Sequence, residues 1–464
     1  MFRNLLTAAV AVVFGFAALK TSDASAQSTD IAFENVRVRT MEAGPAIEDG
    51  FVIVRGSRIA RVGEGDLPNG FEGKRIDGAG ATLIPGLADL HVHYYENDIG
   101  AAYLANSITL VRNMSGSLAA ARRDQAALDG EVIAPRVKTS GPIIDSGQGF
   151  PNDFFIRVYN SDQAIGAVRS QARSGYDAVK LYESLDAETF RAAVGEARAN
   201  RMKVYAHVPG NLTVQDLLAL RVDSLEHLDG YAEAMARAGF HTERQYAWAE
   251  RWANVDRANF DELVRATVEA GTWTVPTFAI TYGRIASADP DAYFARPEAR
   301  ILPVWADTWR ANVASYAIDR PFFEQSLTEK IAFVSALREA GANVLIGTDG
   351  PNPFVTPGYA IHEELTAFAR AGYSHEEILR IATVEAARFL DEAGRTGTIA
   401  SGAPADLVLL RGDPVLDLDQ LREPIGVMVA GHWHAASEID AALDRRANRL
   451  EAMRRQADGD LTRD

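Results

Sequence analysis

The chain has 464 residues, 47% of them hydrophobic and 24% charged, which excludes a disordered chain, a fibrous repeat and a polytopic membrane protein. With 63 acidic against 47 basic residues the formal charge is −16, so no basic excess exists to displace counterions from a nucleic acid. Cysteine is absent, which removes disulfides, thiolate metal sites and a thiol nucleophile and leaves His, carboxylate or a modified Lys as the only strong metal ligands.

The N-terminus reads as an export signal. Arg3 supplies positive charge, Leu5 to Leu19 is mostly apolar, and Ala24-Ser25-Ala26 fits the small-x-small cleavage pattern. The apolar run is shorter than the roughly 20 residues that span a bilayer. Residues 1–26 are expected to be removed, giving a periplasmic or secreted protein with no membrane span; an uncleaved anchor is the alternative.

Strand texture follows in Ile31–Val38, Phe51–Val54 and Arg58–Val62, with turns signalled at Gly56-Ser57 and from Gly63 to Asp66. It returns in Ala405–Leu410 and Ile425–Val429. Two β-rich ends predict a small composite β-sandwich domain of residues 27–84 plus 397–436 around an α/β middle, 85–396. In that middle, strand candidates at 87–93, 107–114, 136–144, 178–182, 203–208, 224–228, 272–278 and 344–350 alternate with helical stretches. Phe190, Ala193, Val194 and Ala197 recur at helical spacing behind a candidate N-cap, Asp186; Phe260, Leu263, Val264 and Val268 do so before Gly271. This alternation predicts a parallel (β/α)8 barrel of TIM type, with its active site at the C-terminal strand ends. Regions 229–271 and 290–340 exceed simple connections and predict extra helices over the mouth. The charged end, 437–464, reads as a helix and tail with Ile439, Leu443, Leu450 and Met453 on one face.

Polar residues close these strand candidates. His91 and His93 share one strand face, and His207, His227 and Asp349 end three others. Four imidazoles and a carboxylate in one barrel mouth are ligand types suited to zinc. The His432 and His434 pair sits in the terminal β segment and reads as structural or surface. Lys180 shares a face with Ala178 and Tyr182, opposite Val179 and Leu181. If the aliphatic pair packs on helices, Lys180 points inward, where an unpaired ammonium is costly. It is then carboxylated, its carbamate bridging two metal ions, or else it pairs with Asp349 or snorkels out. Tyr182 faces the same site, for substrate or for packing. Tyr231, four residues after His227, is a candidate hydrogen-bond donor to substrate, and Arg112 a candidate carboxylate clamp or a structural strand Arg. His362 reads as a cap or packing residue. Tyr246, Trp248, Trp252 and Trp273 line an apolar pocket or pack helices.

The run from Pro85 through Asp89 and His91 to His93 resembles the opening signature of the amidohydrolase superfamily. Val179–Tyr182, Ala206-His207, Leu225-Glu226-His227 and Gly347-Thr348-Asp349 follow in that superfamily's order, and Ala382–Ala387 and Gly397–Leu407 resemble its closing segments. The resemblance spans nearly all of 30–435. It is closest to the imidazolonepropionase-like group of metal-dependent dipeptidases and ochratoxin-type amidases, with the bridging Lys marking a binuclear subtype. The chain departs at Asn113, where an acid is usual, and in the long interval between His227 and Asp349. The resemblance implies that His91, His93 and Asp349 hold the more buried divalent ion, most simply zinc, and that His207 and His227 hold a second. Carboxylated Lys180 and a hydroxide would bridge them, and Asp349 would pass the hydroxide proton to the leaving amine. The expected function is hydrolysis of an amide C–N bond in a small molecule, a dipeptide or N-acyl amino acid. A lactone or organophosphate ester on the same metals, and a non-enzymatic exported binding protein, are the alternatives. The oligomeric state, homo-oligomer included, is left open.

Overall fold

The computed structural model describes residues 30–117, 124–147, 154–244 and 247–461; the expected export signal and Tyr246 lie outside the described residues. The chain opens with β1 (Ile31–Val38), β2 (Ile47–Arg55), β3 (Arg58–Glu64), β4 (Lys74–Asp77) and β5 (Thr82–Pro85). The middle carries β6 (Leu87–Val92), β7 (Ile108–Asn113), β8 (Arg136–Thr139), β9 (Ile143–Asp145), β10 (Phe155–Arg157), β11 (Ala178–Leu181), β12 (Lys203–Ala206), β13 (Ser224–Glu226) and β14 (Trp273–Val275). Three strands close the chain: β15 (Leu407–Leu410), β16 (Gly426–Val429) and β17 (His432–Ala435).

The two chain ends share one eight-stranded sheet, ordered β17-β16-β15-β5-β1-β2-β3 with β4 beside β1. Alternation assigns its faces. Phe33, Val36, Val52, Val54, Leu83, Leu407, Leu409 and Met428 pack into a core of their own. Ile84, Val408, Leu410, Val427 and Val429 turn the other way and join the main core of the middle region. Strand β15 is therefore buried on both faces, which is why its sequence is continuously aliphatic.

The middle strands pair in parallel in two sheets, β6-β7-β8 and β10-β9-β11-β12-β13-β14. The expected strand 136–144 is two strands: β8 pairs with β7, and β9 with β11. The break falls at Gly141-Pro142, since Pro has no N–H to continue a ladder and the Gly141 amide already donates to Ala178 O. Strand β10 was not anticipated. The expected strand 344–350 forms only isolated bridges, Val344 to Thr274 and Gly350 to Val92. Even so, Leu345 N donates to Thr274 O and Asp349 N to His91 O, so this segment lies between β14 and β6. Gly347 permits the fit, because a Cβ there would come within 2.6 Å of His91 Cβ. The middle is thus a mixed α/β fold with parallel strands in two sheets joined by single bridges, not one continuous barrel sheet.

Helices cover these sheets. Asp186 caps Ala187–Ala199 by accepting from Thr189 N, as its sequence predicts. Phe260–Ala270 ends at Gly271, whose φ of 70° is the left-handed C-terminal stop. Val268 departs from the expected apolar face: it is exposed, and Thr267 takes the buried place with its hydroxyl donating to Leu263 O. Helices Phe278–Ala286, Pro290–Phe294, Trp309–Tyr316 and Arg320–Glu339 fill the long region after β14. The terminal helix Ala436–Leu461 buries Ile439, Leu443 and Leu450, but Met453 is exposed. Its buried Arg446 donates to Ile301 O and pairs with Glu96 at 2.6 Å. Among the described residues no helix is long and apolar enough to cross a membrane.

Candidate metal centre and active site

The strand ends bring four imidazoles together with a shared orientation. His91 Nδ1 lies 2.7 Å from Glu226 Oε2, and His207 Nδ1 lies 3.0 Å from both Glu183 Oε1 and Asp229 Oδ2. A carboxylate only accepts, so these two Nδ1 atoms carry the hydrogen and their Nε2 atoms are left as ligands. His93 Nδ1 meets Ser115 Oγ at 3.0 Å, and His227 Nδ1 meets Thr277 Oγ1 at 2.7 Å. The four Nε2 atoms face inward. His93 Nε2 is 2.9 Å and His91 Nε2 3.4 Å from Asp349 Oδ1, while His207 and His227 place their Nε2 atoms 3.0 Å apart. Two imidazole nitrogens at that distance need a proton or a cation between their lone pairs. Backbone geometry sets up the convergence: His227, Leu228, Thr277 and Asp349 have φ of 61°, 59°, 46° and 59°. These left-handed values cost of order 1–3 kcal/mol each in a non-glycine residue and cluster at functional sites.

Lys180 points inward from β11, 1% exposed, and its Nζ has no hydrogen-bond partner. Burial pushes its pKa down to about 8, against a partial pull from Glu226. Burial would raise the Asp349 carboxyl, but His91 and the His93 hydrogen bond hold it well below the usual range. His227 is held well below the ordinary imidazole value by burial and by neighbouring His207. His207 is shifted up: burial and Lys180 oppose its charge, but Asp229 and Glu183 outweigh them. Among the described residues, two groups have ligand atoms clustered closely enough for an ion, His91 with His227 and Asp349, and Glu183 with His207 and Asp229. The expected partition differed: it placed His93 with His91, paired His207 with His227, and gave Glu183 and Asp229 no role. Both acids lie just past strand ends, Glu183 after β11 and Asp229 after β13, and that position is the signal that could have found them.

The candidate substrate residues separate. The Tyr182 ring centroid is 4.2 Å from that of His207, and burial keeps its phenol protonated, so it can donate at the site. Tyr231 is elsewhere: fully buried, its hydroxyl meets Thr267 Oγ1 at 2.7 Å and its ring packs on Phe333. Arg112 is no substrate clamp. Its 1% exposed guanidinium donates to Leu90 O, to Ser224 Oγ at 3.1 Å and to both oxygens of Glu226, and stacks on Tyr205. Arg112 instead holds Glu226, which holds His91. Burial opposes the Glu226 charge, but Arg112 and His91 keep its pKa well below the carboxylate norm. Arg112→Met should therefore destabilise the fold by about 3–5 kcal/mol, because it leaves a buried carboxylate unpaired. Urea unfolding of the variant checks this; a loss below about 1 kcal/mol, the scale of an exposed pair, would contradict it. Asp89 performs a related task, accepting from Thr348 N and Thr348 Oγ1 and so tying β6 to the Asp349 loop. Trp248 and Trp252 pack with Phe323 and Phe333, and Trp273 packs edge-on to Phe389, so these three serve helix and strand packing. His362 is buried against Asn106 Oδ1, and His434 is buried in β17.

The chain is 26% identical over 413 residues to an imidazolonepropionase of Rhizobium meliloti, covering 83% of this chain and 92% of that protein. In fold it matches a bottromycin amidohydrolase with TM-score 0.72 and 21% identity, over 92% of each chain. It also matches a Xaa-Pro dipeptidase with TM-score 0.65 and 20% identity, over 88% of this chain and all of that one. Residues 82–434 match the amidohydrolase family as a whole, a span that runs from the strand before His91 to the last strand of the terminal sheet. The chain belongs to the amidohydrolase family and is a hydrolase acting on C–N bonds.

Proposed function

We propose that this chain is an exported, binuclear metal-dependent amidohydrolase that cleaves an amide bond in a dipeptide or N-acyl amino acid. In this reading 85–396 act as a (β/α)8 barrel and 27–84 with 397–436 as an accessory β domain. The observation that carries the proposal is the unpartnered, buried Lys180 Nζ facing a centre ringed by inward Nε2 atoms and Asp349. That donor set fits two divalent ions, most simply zinc, with no Cys required. His91, His93, His207, His227 and Asp349 would hold them, with Lys180 carboxylated between them and Glu183 and Asp229 orienting His207. Bound there, the ions supply Lewis acidity toward the water and the scissile carbonyl.

The chain's own residues do the rest. Glu226, Ser115 and Thr277 fix the imidazole orientations. Asp349, held ionised, accepts a proton from the attacking water and returns it to the amine as the C–N bond breaks, giving a carboxylic acid and a free amine. The Tyr182 phenol stands beside His207 as a donor to the substrate. The proposal is tested by amine release from a panel of dipeptides and N-acyl amino acids, using zinc-loaded protein with bicarbonate and metal analysis of the same sample. Release is expected. No release from protein holding two metal ions would move the reading to lactones or phosphoesters. No release and no metal would favour a binding protein.

A further inference from the structure

With Arg112 committed to Glu226, the site needs another cation if its substrate carries a carboxylate. Helix Phe278–Ala286 offers one. It starts directly after Thr277, which holds His227, and is pinned by Ala279 N donating to Glu364 Oε1 at 2.7 Å. On this helix Arg284 is partly buried, and among the described residues it forms no ion pair. Its Nη1 donates to Pro353 O at 2.8 Å, its Nη2 to Asn352 Oδ1 at 3.3 Å, and its guanidinium lies over the Tyr316 ring at 4.4 Å. Burial lowers its pKa from the ordinary guanidinium value, opposed in part by Tyr316 and then by Asp349. A partly buried guanidinium with only neutral acceptors is poised for an anion, since charge-assisted pairs are about twice as strong as neutral hydrogen bonds.

Asn352 indicates which anion. Its side-chain amide nitrogen donates to Asp349 Oδ2 at 3.2 Å, while its oxygen accepts from Arg284. One small group thus presents N–H to the proton carrier and oxygen to the cation. An α-amino acid leaving group has the same two ends, with its amine beside its carboxylate. We propose that Arg284 binds the α-carboxylate of the amino acid released from the scissile amide, in the place that the Asn352 amide marks beside Asp349. The inference rests on the amidase reading and assigns a binding residue to the free α-carboxylate that dipeptides and N-acyl amino acids carry on the amine side.

The experiment uses ligands that hold no amide. Free amino acids and their matching amino alcohols, such as leucine with leucinol and phenylalanine with phenylalaninol, are titrated calorimetrically into the metal-loaded full chain. The acid of the best-binding pair should bind roughly tenfold or more tightly than its alcohol, the scale of one charged hydrogen-bonded contact. Arg284→Met should bring that ratio toward one, and Arg284→Lys, which keeps the charge without the fork, should leave it intermediate. Equal binding of acid and alcohol by the wild type, which needs no variant, overturns the assignment, as does a ratio unchanged in Arg284→Met. A preference that depends on Arg284 without any amide hydrolysis would sink the amidase reading alone. Hydrolysis of N-acyl amino acids without the preference would sink only the carboxylate site.

Discussion

Asp349→Asn is expected to lower amine release by roughly 10²–10⁴-fold, the usual worth of a positioned acid–base group. The argument starts from its backbone. Asp349 sits at φ 59° directly after Gly347-Thr348, its amide donates to His91 O, and Thr348 is clamped by Asp89. The carboxylate therefore cannot wander from His91 and His93. Those imidazoles hold it ionised against its burial, so it begins each cycle able to accept a proton. An Asn side chain is nearly the same size but can neither take up that proton nor deliver it to an amine. Asp349 is also a candidate metal ligand, so the measurement pairs kcat/KM with metal content. A variant that keeps its metal and loses turnover supports proton transfer. Full turnover in the metal-loaded variant would show that another group carries the proton.

Parts of this arrangement were legible in the sequence because they obey strand periodicity. His91 and His93 share a face by a period of two, and Lys180 opposes Val179 and Leu181, which are both fully buried. The shared terminal sheet was legible because strand texture without intervening long helical periods appears at both chain ends. What failed were arguments from spacing where tertiary partners decide. Tyr231 follows His227 by four residues, but Leu228 and Gly230 take left-handed φ, and the ring turns away to Phe333. Arg112 looked equally apt for a substrate or for the interior; only the buried Glu226, more than a hundred residues away in sequence, decides the matter. Arg284 carried no signal at all, because a lone Arg in an amphipathic helix has the pattern of a surface residue.

Lys180→Met is expected to have two effects, one on stability and one on metal binding. In the metal-free, uncarboxylated protein the folded-state pKa is about 8, well below the ordinary lysine value of 10.5. The folded state thus disfavours the proton. Below about pH 8 the charged lysine lowers stability by about 3 kcal/mol, and this is regained as pH rises from about 8 to 10.5, where the unfolded chain binds more protons than the folded one. Unfolding free energy in bicarbonate-free buffer should climb across that window in the wild type, and the slope should vanish in Lys180→Met. The same depressed pKa leaves a substantial fraction of neutral amine near pH 8. That amine can attack the carbon of CO2, forming a C–N bond and releasing one proton, and the resulting carbamate anion supplies the oxygens a bridged pair of ions requires. The wild type in bicarbonate should therefore show a native mass higher by one CO2 and hold two metal ions, whereas Lys180→Met should hold at most one and release little amine. A wild type with two ions, an unmodified Lys180 and full activity would remove the bridge from the proposed site while leaving the imidazole ligands in place. A flat stability profile between pH 8 and 10.5 would show that the ammonium finds a partner in solution, most simply Glu226, whose field already reaches it.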